Sequence, residues 1–262
     1  MINICGSSKI NISGNTRGVK MKIYEDIIQF IDYLLNSISN GKYLFYQINY
    51  VPENKVTDKE FLAKLDAKME NKYNTNLNKY QRLNLRRKDE ARHLYVRYKN
   101  IIILLRTPGA TEVANNENWT DIRNAKIKLK ISDSTTYLIG LGQTKASKNK
   151  TLESRITVTL GKETYELIKL SCLDAIRYKK SIKKLYYEFN KINGFNGWSG
   201  INKQKIQLRD YLVKEVCKEF GIKKKDAKKI FRINTYRAKA QKDFNTACEN
   251  QATDTMPVAA PT

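Results

Sequence analysis

The chain has 262 residues, with 49 Lys and Arg against 26 Asp and Glu, a formal net charge of +23 and a pI near 9.7. That length supports a real core in one large or two small domains. A charge surplus of this size opposes compaction and points to a polyanionic partner, nucleic acid being the densest common source of negative charge. AT-rich codon usage accounts for part of the lysine content, though not for the shortage of acids.

Several classes are disfavoured at once. No stretch approaches the ~20 apolar residues of a membrane span. Cys5, Cys172, Cys217 and Cys248 are widely scattered and there is one histidine, so clustered zinc ligation is not expected. Cys172 and Cys217 fall in apolar helical patterns and read as small core residues of a reducing compartment.

Residues 1–20 are rich in Asn, Ser and Gly, lack acids and carry no secretory apolar run, which predicts a disordered leader; their lack of acids leaves an organelle transit role open. From Lys22 to Ser39, Ile23, Ile27, Ile31, Leu34 and Leu35 share one face of an expected helix ended by Gly41. Tyr43 to Val51 reads as a strand stopped by Pro52. Thr57 with Glu60 fits a capping box for a helix whose apolar side is Phe61, Leu62, Leu65 and Met69. A polar helix over Leu77–Ala91 carries Lys79, Arg82, Arg86, Arg87 and Lys88.

Strands follow. Leu94, Val96 and Tyr98 alternate with Tyr95, Arg97 and Lys99, then Ile101–Arg106 runs apolar. Thr107-Pro-Gly109 opens a polar loop through Trp119. Ile127, Leu129 and Ile131 alternate with Lys126, Lys128 and Lys130, the pattern of a half-buried strand with a basic wet face. Thr135–Leu141 and Ser154–Leu160 are further strands, joined by the basic loop Gly142–Thr151, and the short links favour antiparallel pairing. After Gly161 the pattern turns helical: Lys162–Tyr178, Ser181–Lys191, the Gly-rich NGFNGWSG of Asn193–Gly200, and an amphipathic helix Lys203–Phe220 with Leu208, Leu212, Val216 and Phe220 on one stripe. Residues 243–262 read as a disordered tail.

The expected fold class is therefore α+β: a leader over 1–20, an α+β domain with an antiparallel sheet over 21–161, a basic all-helical domain over 162–242 and a tail over 243–262. Charge concentrates in two stretches. Lys79–Arg106 holds nine basic and two acidic residues, and Lys162–Lys242 holds 22 against eight.

Within the second stretch lies VKEVCKEFGIKKKDAKKIFR, Val213 to Arg232. Val216, the small Cys217, Phe220, Gly221 at the corner, Ile222, and the inward Ala227 and Ile230 give a local resemblance to the helix-turn-helix of DNA-binding proteins, over these twenty residues only. The resemblance implies close helix crossing at the small residue, a left-handed glycine turn and a second helix facing the major groove. Lys223, Lys224, Lys225, Lys228, Lys229 and Arg232 would take the DNA-facing positions. The segment departs from the family pattern in lacking Gln, Asn or Ser there, so it implies phosphate contact more than base readout. Arg82, Arg86 and Arg87, together with Tyr95 and Arg97 on a sheet face, form a second expected contact surface, in which tyrosines stack bases and arginines neutralise phosphate.

No catalytic signature rises above this. His93 lacks a second histidine, Tyr165-x-x-x-Lys169 lacks metal-binding partners, and Glu53-Asn-Lys55 needs a further carboxylate to hold Mg²⁺. No phosphate-binding glycine loop is present, and no cofactor is expected. The leading expectation is a non-enzymatic nucleic-acid-binding protein, DNA favoured over RNA, serving replication, partition or regulation of a plasmid-like genetic element. It would sit in the cytoplasm, on the nucleoid or in an organelle matrix, away from membranes, with self-association open. The alternatives are a metal-dependent nuclease or recombinase, and an RNA binder using the Tyr/Arg sheet face.

Overall fold

The computed structural model describes residues 22–111, 117–143 and 154–237; the expected leader and tail, Cys5, Cys248 and most of the basic loop before Ser154 lie outside them. The fold is α+β, and the chain divides into two compact units.

The first unit comprises the residues to Glu25 and Gly41–Ala125. Its sheet contains β1 (Lys22–Tyr24), β2 (Phe45–Tyr50), β3 (His93–Tyr98), β4 (Ile101–Arg106) and β5 (Thr120–Asp121), in the order β1-β3-β4-β2-β5. All pairings are antiparallel except β1 with β3. The β3–β4 hairpin turns at Lys99, whose φ is +49°, and pairs Tyr98 with Ile101. Helix α2 (Lys59–Tyr73) packs Phe61, Leu62, Leu65 and Met69 against Tyr95, Ile102 and Leu104. It begins at Asp58 rather than Thr57, because the Asp58 carboxylate accepts from Phe61 N at 2.9 Å, and it ends on left-handed Asn74 (φ 47°). Helix α3 (Lys79–Arg87) starts from a reciprocal box in which Asn78 Oδ1 accepts from Gln81 N and Gln81 Oε1 accepts from Asn78 N.

The second unit comprises Asp26–Asn40 and the chain from Lys126. The helix expected from Lys22 begins later, as α1 (Ile27–Gly41), since Lys22–Tyr24 is the edge strand β1. A three-stranded antiparallel sheet, β6 (Ile127–Lys130), β7 (Thr136–Gln143) and β8 (Ser154–Leu160), groups with α4 (Lys162–Arg177), α5 (Ile182–Asn193), α6 (Ser199–Phe220) and α7 (Lys224–Ile230). The boundary therefore falls near Ala125 and not at Gly161, and the helices do not stand without a sheet. The reason is specific hydrogen bonding. Gln204 of α6 both accepts from Leu160 N (2.8 Å) and donates to Leu160 O (3.1 Å), and Thr164 Oγ1 accepts from Thr136 N (2.9 Å). Gly200 permits the approach, as a Cβ there would lie 2.3 Å from Val158 O. Ile168, Cys172 and Ile176 of α4, Leu185, Phe189 and Ile192 of α5, and Ile201, Leu208, Leu212 and Val216 of α6 supply the helical core.

Among the described residues no helix is long and apolar enough to cross a membrane.

Candidate nucleic-acid interface

Helix α6 ends on Gly221, which adopts φ 64° and ψ 13°. Among the described residues nothing lies within 4 Å of where its Cβ would be, so the glycine is required by the left-handed backbone and not by space. Seven residues are too few for a stable isolated helix, and α7 is held by tertiary anchors. Ala227 is fully buried, and the buried Phe231 meets Phe189 edge-on at 5.0 Å. With Ala227 fixed inward, about 100° per residue places Lys224, Lys228, Lys225 and Lys229 on one outer arc of about 140°. All four are exposed, as are Lys223 and Arg232. Two like-charge i,i+4 pairs, Lys224 with Lys228 and Lys225 with Lys229, are thereby kept at a cost of about 0.2–0.5 kcal/mol each.

Ion pairing elsewhere sharpens this concentration. Seven of the eight acids between Lys162 and Arg237 are in ion pairs. The α6 acids Glu215 and Glu219 go to Arg177 and Lys180, near the end of α4, and leave their lysine neighbours Lys214 and Lys218. Of the eight cations from Lys214 to Arg232, only Lys229 has an ion pair among the described residues, with Asp226 at 2.8 Å.

Beyond α7 the chain runs as an extended strap over 231–237, seated on the segment that carries the Gly-rich sequence. Asn193 donates from Nδ2 to Arg232 O (2.8 Å) and accepts at Oδ1 from Asn234 N (3.1 Å). Gly197 N donates to Tyr236 O at 3.0 Å, and a Cβ at Gly197 would stand 2.3 Å from Thr235 O. The ammonium of Lys205, 0% exposed, donates to Phe195 O and Asn234 O, each at 2.8 Å. Burial pushes the Lys205 pKa down. Arg237 Nη2 pairs with Asp32 Oδ1 at 2.8 Å, and that same oxygen accepts from Trp198 Nε1. The strap and α5 line an open cleft of about 690 Å³.

The remaining expected site residues divide. Arg86 and Arg87 are exposed on α3, whereas Arg82 is half-buried and spends Nε on Leu77 O at 2.9 Å. Lys126, Lys128 and Lys130 are exposed at β6, opposite the buried Ile127 and Leu129. Tyr95 and Arg97 do not form a wet face: they are 2% and 8% exposed. Arg97 makes a bidentate pair with buried Asp66, Nε to Oδ1 at 2.8 Å and Nη2 to Oδ2 at 2.7 Å. Tyr95 donates its hydroxyl to Asp66 Oδ1, and burial together with that carboxylate raises its pKa. Asp66 sits on the inner side of α2, so the charge that resembled a stacking surface closes an internal ion pair. The Tyr/Arg sheet face is thus overturned.

Glu53-Asn-Lys55 forms a single 3₁₀ turn after β2, and among the described residues no group of three His, Cys, Asp or Glu side chains is placed to hold a metal. His93 is buried beside Tyr73 and Trp119, and its Nε2 has no hydrogen-bond partner among the described residues. Burial first, and then the Arg106 charge, lower its pKa to about 4 against the opposing pull of Glu117. Cys172 is buried, with its thiol pushed up to about 12 chiefly by burial.

Sequence reasoning missed Asn193, Gly197, Lys205 and the two exposed tyrosines of the cleft, Tyr186 and Tyr236. One signal was available. Lys205 falls three residues before Leu208 on the apolar stripe of α6, where a solvated lysine has no place. The chain matches no protein-family model, no curated protein and no solved structure.

Proposed function

We propose that this protein binds nucleic acid, duplex DNA above RNA, through the cationic surface of α7 and the adjoining end of α6, in the service of replication, partition or regulation of a small genetic element. One observation carries the reading. From Lys214 to Arg232 the positive side chains are left almost without acidic partners, and those of α7 share one outer arc. Glu215 and Glu219, which would neutralise Lys214 and Lys218, are drawn off to Arg177 and Lys180. The protein therefore maintains repulsion that a polyphosphate relieves.

In this reading Val213–Arg232 acts as a helix-turn-helix, with the left-handed Gly221 and the buried Ala227 in support. The outer arc of α7 offers lysine and no Asn, Gln or Ser, so contacts go to phosphates and discrimination between base sequences is weak. The protein acts by gripping its target and not by cutting it.

Measuring affinity for a short DNA duplex across a salt series tests this. Each phosphate neutralised contributes about 0.9 to the slope of log affinity against log salt. Replacing Lys224, Lys225 and Lys228 by Ala lowers that slope by about 2–3, and reduces binding at least as much as replacing Arg82, Arg86 and Arg87. An unaltered slope in the lysine variant removes the α7 reading, and tighter binding to an RNA duplex of the same sequence reverses the preference for DNA.

A further inference from the structure

The cleft between α5 and the strap carries features that a phosphate-gripping surface does not need. Its α5 wall presents Tyr186, Asn190 and Asn193, and its strap wall presents Arg232, Asn234 and Tyr236. Tyr186 is 52% exposed and Tyr236 70% exposed, although both project from backbone that is firmly held. Tyr80, Tyr178 and Tyr187 are exposed as well, but it is Tyr186 and Tyr236 that line this cleft and offer their ring faces to an occupant.

Polar capacity in the cleft is also reserved. Asn193 clamps the strap through Arg232 O and Asn234 N and spends its other amide hydrogen on Asn190. Asn190 accepts at Oδ1 from Asn193 Nδ2, and Asn234 accepts at Oδ1 from Tyr236 N. The Nδ2 groups of Asn190 and Asn234 have no partner among the described residues, and neither does the guanidinium of Arg232. The cleft thus offers two aromatic faces, two free amide donors and one cation. A volume of about 690 Å³ falls in the range of ligand clefts, roughly 300–1,000 Å³.

We infer that this cleft receives one unpaired base of the nucleic acid held by α7, with Tyr186 and Tyr236 stacking on the base, Asn190 and Asn234 donating to its edge, and Arg232 pairing with its phosphate. The inference rests on the proposed nucleic-acid reading and adds a preference for strands containing an unpaired position. A paired base hides both faces in the duplex stack, so tyrosine stacking selects bases that are already free. The cleft is preorganised: Gly197, Lys205 and Asn193 fix the strap before any ligand arrives, so little ordering cost remains. Chain continuity links the two surfaces, since Arg232 follows α7 by two residues.

The test uses the full chain and a short DNA duplex carrying 2-aminopurine either paired or as a single unpaired residue. The unpaired probe binds about tenfold more tightly than the paired one and its fluorescence is quenched on binding, as stacking on tyrosine requires. Tyr186→Ala with Tyr236→Ala abolishes the tenfold preference and the quenching while leaving paired-duplex affinity and the thermal unfolding midpoint unchanged. Tyr186→Phe with Tyr236→Phe retains both. Free dAMP competes weakly, because it lacks the flanking phosphates that α7 grips; competition as strong as that of the duplex overturns the strand-bound assignment in favour of a free nucleotide. Equal affinity for paired and unpaired probes, with duplex binding intact, overturns the cleft inference and spares the α7 surface. Failure to bind either probe overturns both.

Discussion

Strand β3 and helix α7 both carry cations that the sequence pattern alone would turn to solvent, and the fold uses them in opposite ways. In β3 the Arg97 guanidinium meets the Asp66 carboxylate of α2 and is sealed with it, 8% exposed. In α7 the lysines face outward: its one acid, Asp226, pairs with Lys229, and the acids at the adjoining end of α6, Glu215 and Glu219, are taken by Arg177 and Lys180. Whether a cation becomes structural or is offered to a partner depends on which carboxylate reaches it in space. Lys205 makes the same point with no carboxylate at all: two backbone carbonyls hold a buried ammonium in place, and it becomes a clamp.

On that contrast, perturbing the inward charges is expected to harm folding and perturbing the outward ones to leave it nearly unchanged. The largest effect is expected from Asp66→Ala, which leaves Arg97 buried and unpaired and costs about 3–5 kcal/mol in urea denaturation. A loss below about 1 kcal/mol would place Arg97 in water and erase the contrast.

Acid comes next. His93 has its pKa lowered from 6.5 to about 4 in the folded state, so the unfolded chain takes up a proton first. Stability therefore falls as pH drops from about 6.5 towards 4, by up to about 3 kcal/mol. In His93→Gln this part of the pH dependence should vanish, and chemical denaturation at several pH values reads it directly.

Gly197→Ala is expected to cost about 1–3 kcal/mol, because the new methyl meets the Thr235 carbonyl of the strap. Faster hydrogen exchange at the Asn234 and Tyr236 amides would locate the damage in the strap. The smallest effect on folding belongs to Lys224→Ala with Lys225→Ala and Lys228→Ala, within about 0.5 kcal/mol per site and towards gain, since like-charge repulsion is relieved. A large loss of stability in that variant would mean the lysines are structural after all.

Much of the secondary structure was legible because it rests on local periodicity. The alternation of Ile127 and Leu129 with Lys128 and Lys130 gave β6 its two faces, and the glycine after Phe220 gave the α6–α7 corner. Local caps were harder to place: Thr57 and Asp58 are both good caps, and only the hydrogen bond to Phe61 N distinguishes them. The change from strands to helices at Gly161 was visible and misleading, because element type does not say which elements pack together. The cleft was illegible for a similar reason. Tyr186 and Tyr236 are fifty residues apart in the chain and line one cleft because Asn193, Gly197 and Lys205 hold the strap beside α5.

By itself the sequence determined the charge surplus, the α+β class and the outward lysine arc of α7, since each follows from composition or from a period of a few residues. Tertiary structure alone decided that Arg97 and Lys205 turn inward, that Glu215 and Glu219 of α6 pair with Arg177 and Lys180, and that a cleft opens beside the strap. The physical reason is that desolvation and ion pairing depend on distances between residues far apart in the chain, and no local pattern encodes those distances.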